Sequence, residues 1–472
     1  MRGFRSAAAA CALVLLAACA GGPRVVDRPP ALAEADFTVD LRRGEGSPAA
    51  VSLELRFPAG SPAGVELAFP PRYAFIAPEA PLLVGPPRFR GPTGALPFTQ
   101  ADAFTWRLPG PPERVRVEYE VALRHRELPG VAGRDEYEQP YLAIDHGMLS
   151  TAVLLMLPMV EPMRCRVRWL LPEGWAQPVT WPVEDGWCVA PSAQAARNDL
   201  VPVGDWRIEE FRATGFTGRI LYAPGQRRRL GAHAPVLAEV AQQLVDWMGA
   251  PPAPAFGFLF PAVGGRGAGG SPKGTTMGLF LSDEVLPHGR EFLAHLGAHE
   301  FFHLWGRKDV PSRAEMRWFE EGVTDWVAHR AARAVGGLDL VDEVATARRQ
   351  VDGAAGAGLS LAEAGGPDFF RGGDSYTLCY AGGLLVGEFM DRRLRGRGGL
   401  LPFLREWKAP EGPGGESPQP GIDRLVAEFA ARAGREAGEE LRRLVTEPFD
   451  AAAAARCAAE PPVRPARIRP PS

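Results

Sequence analysis

The residues best placed to do chemistry lie between His299 and Asp325. The stretch begins His299-Glu300-Phe301-Phe302-His303, and seventeen residues later reads Glu321-Gly322-Val323-Thr324-Asp325. Side chains four apart on an α-helix lie one above the other on one face. A helix over the first segment therefore brings the imidazoles of His299 and His303 within reach of one metal ion. Imidazole nitrogens and carboxylate oxygens suit zinc, and a catalytic zinc keeps its fourth position open for water. Glu300 leans beside such an ion, where its carboxylate can hold that water. Glu321 is the natural third protein ligand. Asp325, one turn further on, can orient a ligand imidazole through its other nitrogen. One zinc per chain is the expected cofactor. His295, four residues before His299, is read as a supporting or surface group.

These residues need two helices. Phe292 to Gly306 has the spacing for the first, with Phe292, Leu296, His299 and His303 on one face, and Met316 to Val335 has it for the second. Upstream, Gly218 to Tyr222 and Phe256 to Phe260 read as short strands, and Pro235 to Met248 as a helix. Val263 to Gly278 reads as a glycine-rich loop beside the cleft. It lacks a Gly-Lys-Ser/Thr ending, so phosphate binding is excluded. Residues 35–213 read as β. In Arg114 to Arg124, Val115, Val117, Tyr119, Val121 and Leu123 alternate with polar residues, and Pro and Gly punctuate similar short runs. An antiparallel sandwich is expected there. Residues 214–395 form the expected α+β catalytic domain and 396–459 a helical region, including one helix over Arg424 to Leu444. The proline- and arginine-rich 460–472 is expected to be a disordered tail.

At 472 residues the chain is long enough for two or three domains. A formal charge of -3 argues against a nucleic-acid partner. Arg2 and Arg5 precede an apolar run, Ala7 to Ala18, too short to span a bilayer. The run ends Leu16-Ala17-Ala18-Cys19, which looks like a bacterial lipobox. Residues 1–19 are thus read as a lipoprotein signal peptide, Cys19 as the lipidated residue and 20–34 as a tether. The expected location is the cell envelope, and Ala20 favours the outer membrane. An exported chain meets oxidising conditions. Cys165 and Cys188, in two strand-like runs, could then pair or remain buried thiols.

The string from His299 to Asp325 resembles the gluzincin metallopeptidases. HEFFHLWGRKDVP with RWFEEGVTDWV is closest to the glycyl aminopeptidase family and more distantly similar to the aminopeptidase N family. The resemblance implies a central α+β lobe of the thermolysin-like kind. Peptides or proteins are the implied substrates, and hydrolysis through an activated water the implied reaction. Tyr380-Ala381-Gly382-Gly383 resembles the families' Tyr-x-Lys-Gly, whose tyrosine stabilises the transition state. Glu300 and Tyr380 are therefore the expected catalytic residues, and His299, His303 and Glu321 the metal ligands. Glu321, rather than Glu320, matches the families' Glu-Gly. Tyr376 is the rival tyrosine.

The chain also departs from the pattern. Gly382 replaces the lysine, and no PDZ-like domain is expected. Gly270-Ser271-Pro272-Lys273 stands where the glycyl aminopeptidases carry Gly-Leu-Glu-His, and the aminopeptidase N strand Gly-x-Met-Glu-Asn is missing. The acidic group that would hold a substrate's free amine is thus not evident. Asp283 or Glu284 could supply it. An aminopeptidase N type exopeptidase and a catalytically idle binding lipoprotein are the alternative readings.

Overall fold

A computed structural model describes residues 34–458 apart from 58–63, 70–82, 111–112, 124–139, 159–163, 178–179, 192, 253–254, 262–267, 307–312, 337–341, 355–357, 372 and 408–420. Cys19, residues 20–33 of the expected tether and the 460–472 tail lie outside the described residues, and Glu34, the last residue of that tether, belongs to a strand. The chain divides into two compact units. Residues up to 242 and 250–296 make the first, and 243–249 with 297 onward make the second.

In the first unit the alternating strand Arg114–Val121 buries Val115, Val117, Tyr119 and Val121. It pairs antiparallel with Ala49–Arg56, which pairs with Glu34–Asp40. These strands belong to an eight-stranded sheet, and Gly64–Ala68 and Thr105–Pro109 belong to a four-stranded one. Phe37, Leu53 and Val117 from the larger sheet share one core with Leu67, Trp106 and Leu108 from the smaller. One feature departs from the expected antiparallel sandwich. Glu34–Asp40 pairs parallel with Arg164–Leu170, so the sheet is mixed. The two strands are far apart in sequence, and no hairpin constrains their direction. Asp36 is the polar tie at this seam. Arg166 grips it at 2.6 and 2.7 Å, and Arg56 reaches it at 3.1 Å.

Cys165 and Cys188 are both buried free thiols. Val167 stands opposite Cys188, which leaves Cys165 one diagonal step away on the same face. Diagonal neighbours are about 7–8 Å apart, beyond the span of a disulfide. The pairing option therefore falls.

The same unit holds a five-stranded sheet in the order Arg207–Ala213, Phe216–Tyr222, Ala255–Phe260, Thr276–Leu281, Ala268–Lys273. The three central strands are parallel and the two edges antiparallel. Parallel neighbours require a crossover, and helix α1 (Val236–Met248) lies on the one between Tyr222 and Ala255. Two sequence expectations change here. Arg207–Ala213 pairs with this sheet rather than with the sandwich strands. The described part of the glycine-rich stretch is a hairpin, not a loop. Its glycines suit tight packing: a Cβ on Gly270 would sit 2.6 Å from Met277 and 2.9 Å from Leu279. Lys273, at the end of that edge strand, is buried.

The hairpin turn is held by Asp199, a fully buried carboxylate. It accepts hydrogen bonds from Trp181 Nε1 at 2.7 Å, Thr275 Oγ1 at 2.6 Å and the Thr276 hydroxyl. Burial raises its pKa, while the three side-chain donors work the other way.

Helix α2 is Gly289–Phe302. The second unit then continues with α3 (Thr324–Val335), α4 (Glu343–Ala354), α5 (Gly383–Leu394), α6 (Leu400–Trp407), α7 (Ile422–Ala433), α8 (Arg435–Thr446) and α9 (Ala451–Ala458). The expected single helix over Arg424 to Leu444 is two, because Gly434 has φ 102° and ψ 155°, a conformation that an α-helix does not contain. Two π-helical segments interrupt the regular turns, Trp318–Val323 before α3 and Leu378–Gly382 before α5. They cross at glycines. A Cβ on Gly322 would stand 2.4 Å from the Cys379 carbonyl oxygen and 2.5 Å from Gly383 Cα. Glu388 on α5 accepts from Trp326 Nε1 at 3.0 Å and Arg330 at 2.6 Å, both on α3. Among the described residues, no helix is long and apolar enough to cross a membrane.

Candidate metal centre

The centre lies wholly within the second unit. His299 lies in the last turn of α2, and His303 opens the 3-10 turn that follows. The helical repeat stacks their rings at 4.9 Å between centroids. Glu321 sits in the π-helical segment. One extra residue in a helical turn shifts the register of the side chains that follow, and such segments are frequent at functional sites. Asp325 lies in the first turn of α3.

Three atoms converge. His299 Nε2 is 3.2 Å from His303 Nε2 and 3.3 Å from Glu321 Oε2, and His303 Nε2 is 3.7 Å from that same oxygen. Ligands about 2.0–2.1 Å from a tetrahedral zinc stand roughly 3.3–3.4 Å from one another. The donor set therefore fits one such ion without rearrangement. Asp325 Oδ1 stands 3.1 Å from His299 Nδ1, which directs the other ring nitrogen at the convergence point. Glu300 is buried beside it.

The electrostatics favour a cation. Burial would lower the His299 pKa, but its hydrogen bonds to Asp325 and Glu321, with the charge of Glu300 behind them, raise it to about 10. Burial would likewise raise Glu321, but the two imidazoles hold its carboxyl below the usual range. Negative charge gathered in a buried place is costly unless a positive group joins it.

Two tyrosines complete the centre. Tyr380, in the second π-helical segment, donates from its hydroxyl to Glu321 Oε2 at 2.7 Å, and its ring stacks on His299 at 5.9 Å. Tyr376 packs against Tyr380, with ring centroids 4.4 Å apart. Burial, and next the charge of Glu321, push both phenols well above their ordinary pKa, so both remain protonated donors. Phe369 lies against both rings. No motif or spacing signals that phenylalanine. At Gly382, which replaces the families' lysine, a Cβ would meet the end of the Leu361 side chain at 2.7 Å, so that side chain would have to shift.

The structure thus brings His299, Glu300, His303, Glu321, Asp325 and Tyr380 together. Asp283 and Glu284, the two candidates for an amine anchor, are both exposed. Asp283 is already paired with Arg229 at 2.7 Å in the first unit.

No family model matches the sequence, and no curated protein does. Solved structures do. An aminopeptidase N family protein from Idiomarina loihiensis is similar with a TM-score of 0.65 and 18% identity, over 88% of this chain and 76% of that one. An M1 zinc metallopeptidase from Deinococcus radiodurans gives 0.56 and 16%, over 90% and 96%. A two-domain M1 zinc metallopeptidase bound to L-tryptophan gives 0.58 and 16%, over 91% and 97%. At these identities the likeness concerns the fold, and the chain has the multidomain α+β fold of the M1 metallopeptidases.

Proposed function

We propose that this protein is a zinc-dependent peptidase hydrolysing peptide bonds. The observation that carries the reading is the convergence of His299 Nε2, His303 Nε2 and Glu321 Oε2, with Glu300 buried next to them. A zinc ion on these three groups would lower the pKa of a bound water and polarise a substrate carbonyl. Glu300 takes the proton from the attacking water and hands it to the leaving amine. Tyr380 turns its hydroxyl from Glu321 to the carbonyl oxygen as that oxygen gains charge, a donation worth about 3 kcal/mol where comparable donors have been removed. Asp325 keeps the His299 ring aimed. No covalent enzyme intermediate is required.

Elemental analysis should find about one zinc per chain. His303→Ala should lose it, and full occupancy in that variant would sink the ligand assignment. Glu300→Gln should keep the zinc and lose hydrolysis of a peptide library. Turnover undiminished in Glu300→Gln would remove the proposed base.

The neighbours' names favour aminopeptidase action, and one of those M1 peptidases is bound to a Tyr-Ser-Ala substrate. Against this, the chain shows no Gly-x-Met-Glu-Asn strand, and Asp283 is engaged by Arg229. A protonated amine needs a carboxylate partner where water is excluded. We therefore read the specificity as directed at blocked or internal bonds. Glycyl and alanyl amides compared with their acetylated forms test this, and a clear preference for the free amine would reverse it. Attachment to the cell envelope through lipidated Cys19 belongs to the same proposal.

A further inference from the structure

Tyr376 is buried, 5% exposed, and its hydroxyl donates no hydrogen bond among the described residues, its polar neighbour being the Tyr380 hydroxyl. A buried hydroxyl left without a partner costs about 1–3 kcal/mol, so each such group calls for a reason. The surroundings supply one. Tyr376 lies in the turn Asp374–Thr377, directly before the segment that carries Tyr380. Its ring is tilted 34° to that of Tyr380 and 32° to that of Phe369, so two aromatic rings fix its direction. It is close enough to Glu321, Asp325 and Glu300 to feel their charges. Tyr380 has already committed its proton to Glu321. Tyr376 has not committed its own.

We propose that the Tyr376 hydroxyl is a second donor to the oxygen of a bound peptide's scissile carbonyl, acting beside Tyr380. The inference rests on the peptidase reading above. The carbonyl oxygen has two lone pairs and gains a third as it becomes the oxyanion of the tetrahedral species, so that two phenols can donate to it beside a zinc ion. The need for the second donor increases as the oxygen gains charge, so the contact strengthens from substrate to tetrahedral species. The packing of the rings means that the donor is held in place before the peptide arrives, and little ordering is lost on binding.

The test uses Tyr376→Phe in the full chain, with a phosphinic peptide as a stable tetrahedral mimic. Four readouts are taken: the melting temperature of the metal-free protein, zinc affinity, affinity for the phosphinic peptide, and the split of kcat against KM. Removing a hydroxyl that donates to no group among the described residues should leave the melting temperature unchanged or raise it. Zinc affinity should also stay the same. Phosphinic-peptide affinity should fall by about tenfold, the effect of one such hydrogen bond. The loss should appear in kcat more than in KM. A lower melting temperature overturns the inference, because the hydroxyl then has a partner in the folded chain. Phosphinic-peptide affinity within about twofold of wild type also overturns it. If the zinc-loaded wild type does not bind the phosphinic peptide, the peptidase reading itself fails and takes this inference with it.

Discussion

Replacing Gly322 with alanine changes no proposed ligand, yet it should damage the metal centre. The new Cβ would stand 2.4 Å from the Cys379 carbonyl oxygen, 2.5 Å from Gly383 Cα and 2.7 Å from the Gly383 carbonyl carbon. Carbon and carbonyl oxygen sit about 3.3–3.6 Å apart even in close contacts, so the segments must separate by roughly 1 Å. All three opposing atoms are backbone, and no rotamer can yield. Alanine does gain up to about 1 kcal/mol of helix propensity over glycine. Overpacking a tight contact costs about 1–3 kcal/mol, and a rigid backbone clash belongs at the upper end. The clash wins. A net loss of about 1–2 kcal/mol corresponds to a fall in melting temperature of roughly 2–8 °C. Glu321 is the adjacent residue, and ligand distances must hold to about 0.2 Å. Zinc affinity should therefore drop by about tenfold or more, measured by chelator competition. Gly353, on α4, is the control: a Cβ there meets nothing within 4 Å. Gly353→Ala should leave zinc affinity alone and stabilise by about 0.5–1 kcal/mol. The reasoning is refuted if Gly322→Ala melts like wild type and binds zinc equally well.

Glu388 offers a pH test. Burial would raise its carboxyl, but Trp326, Arg392 and Arg330 together hold it below the usual range. A depressed folded-state pKa gives stability that is present above the unfolded value of about 4.3 and lost as pH falls through the folded value. Wild type and Glu388→Gln should therefore differ near pH 7 by about 1–3 kcal/mol in urea unfolding and converge in acid. Parallel curves would show that the carboxylate is not the source. Asp199→Asn should destabilise the first unit by about 1–3 kcal/mol, because an amide nitrogen cannot accept from Trp181 or Thr275. An unchanged unfolding midpoint would mean that the hairpin does not depend on this carboxylate. Cys19→Ser should move the protein out of the membrane fraction or leave its precursor uncleaved. Continued lipid labelling of that variant would remove the anchor from the proposal.

The elements of the centre that follow from local periodicity were legible in the sequence. His299 and His303 are four apart, and a helical repeat stacks the pair with no help from the rest of the chain. The alternation of Val115, Val117, Tyr119 and Val121 states in the same way which face of a strand is buried. Tertiary structure decided whatever depends on residues distant in sequence. The parallel seam between Glu34–Asp40 and Arg164–Leu170 has no local signature, and neither does the diagonal offset that keeps Cys165 from Cys188. The glycines near Gly270 permit either a loop or an edge strand, and the pairing with Thr276–Leu281 selects the strand. Glu321 and Tyr380 are 59 residues apart, yet they share a 2.7 Å hydrogen bond. What brings them together is the close backbone crossing of Gly322 and Gly383. The sequence shows two glycines, and only the fold shows that there is no room there for anything larger.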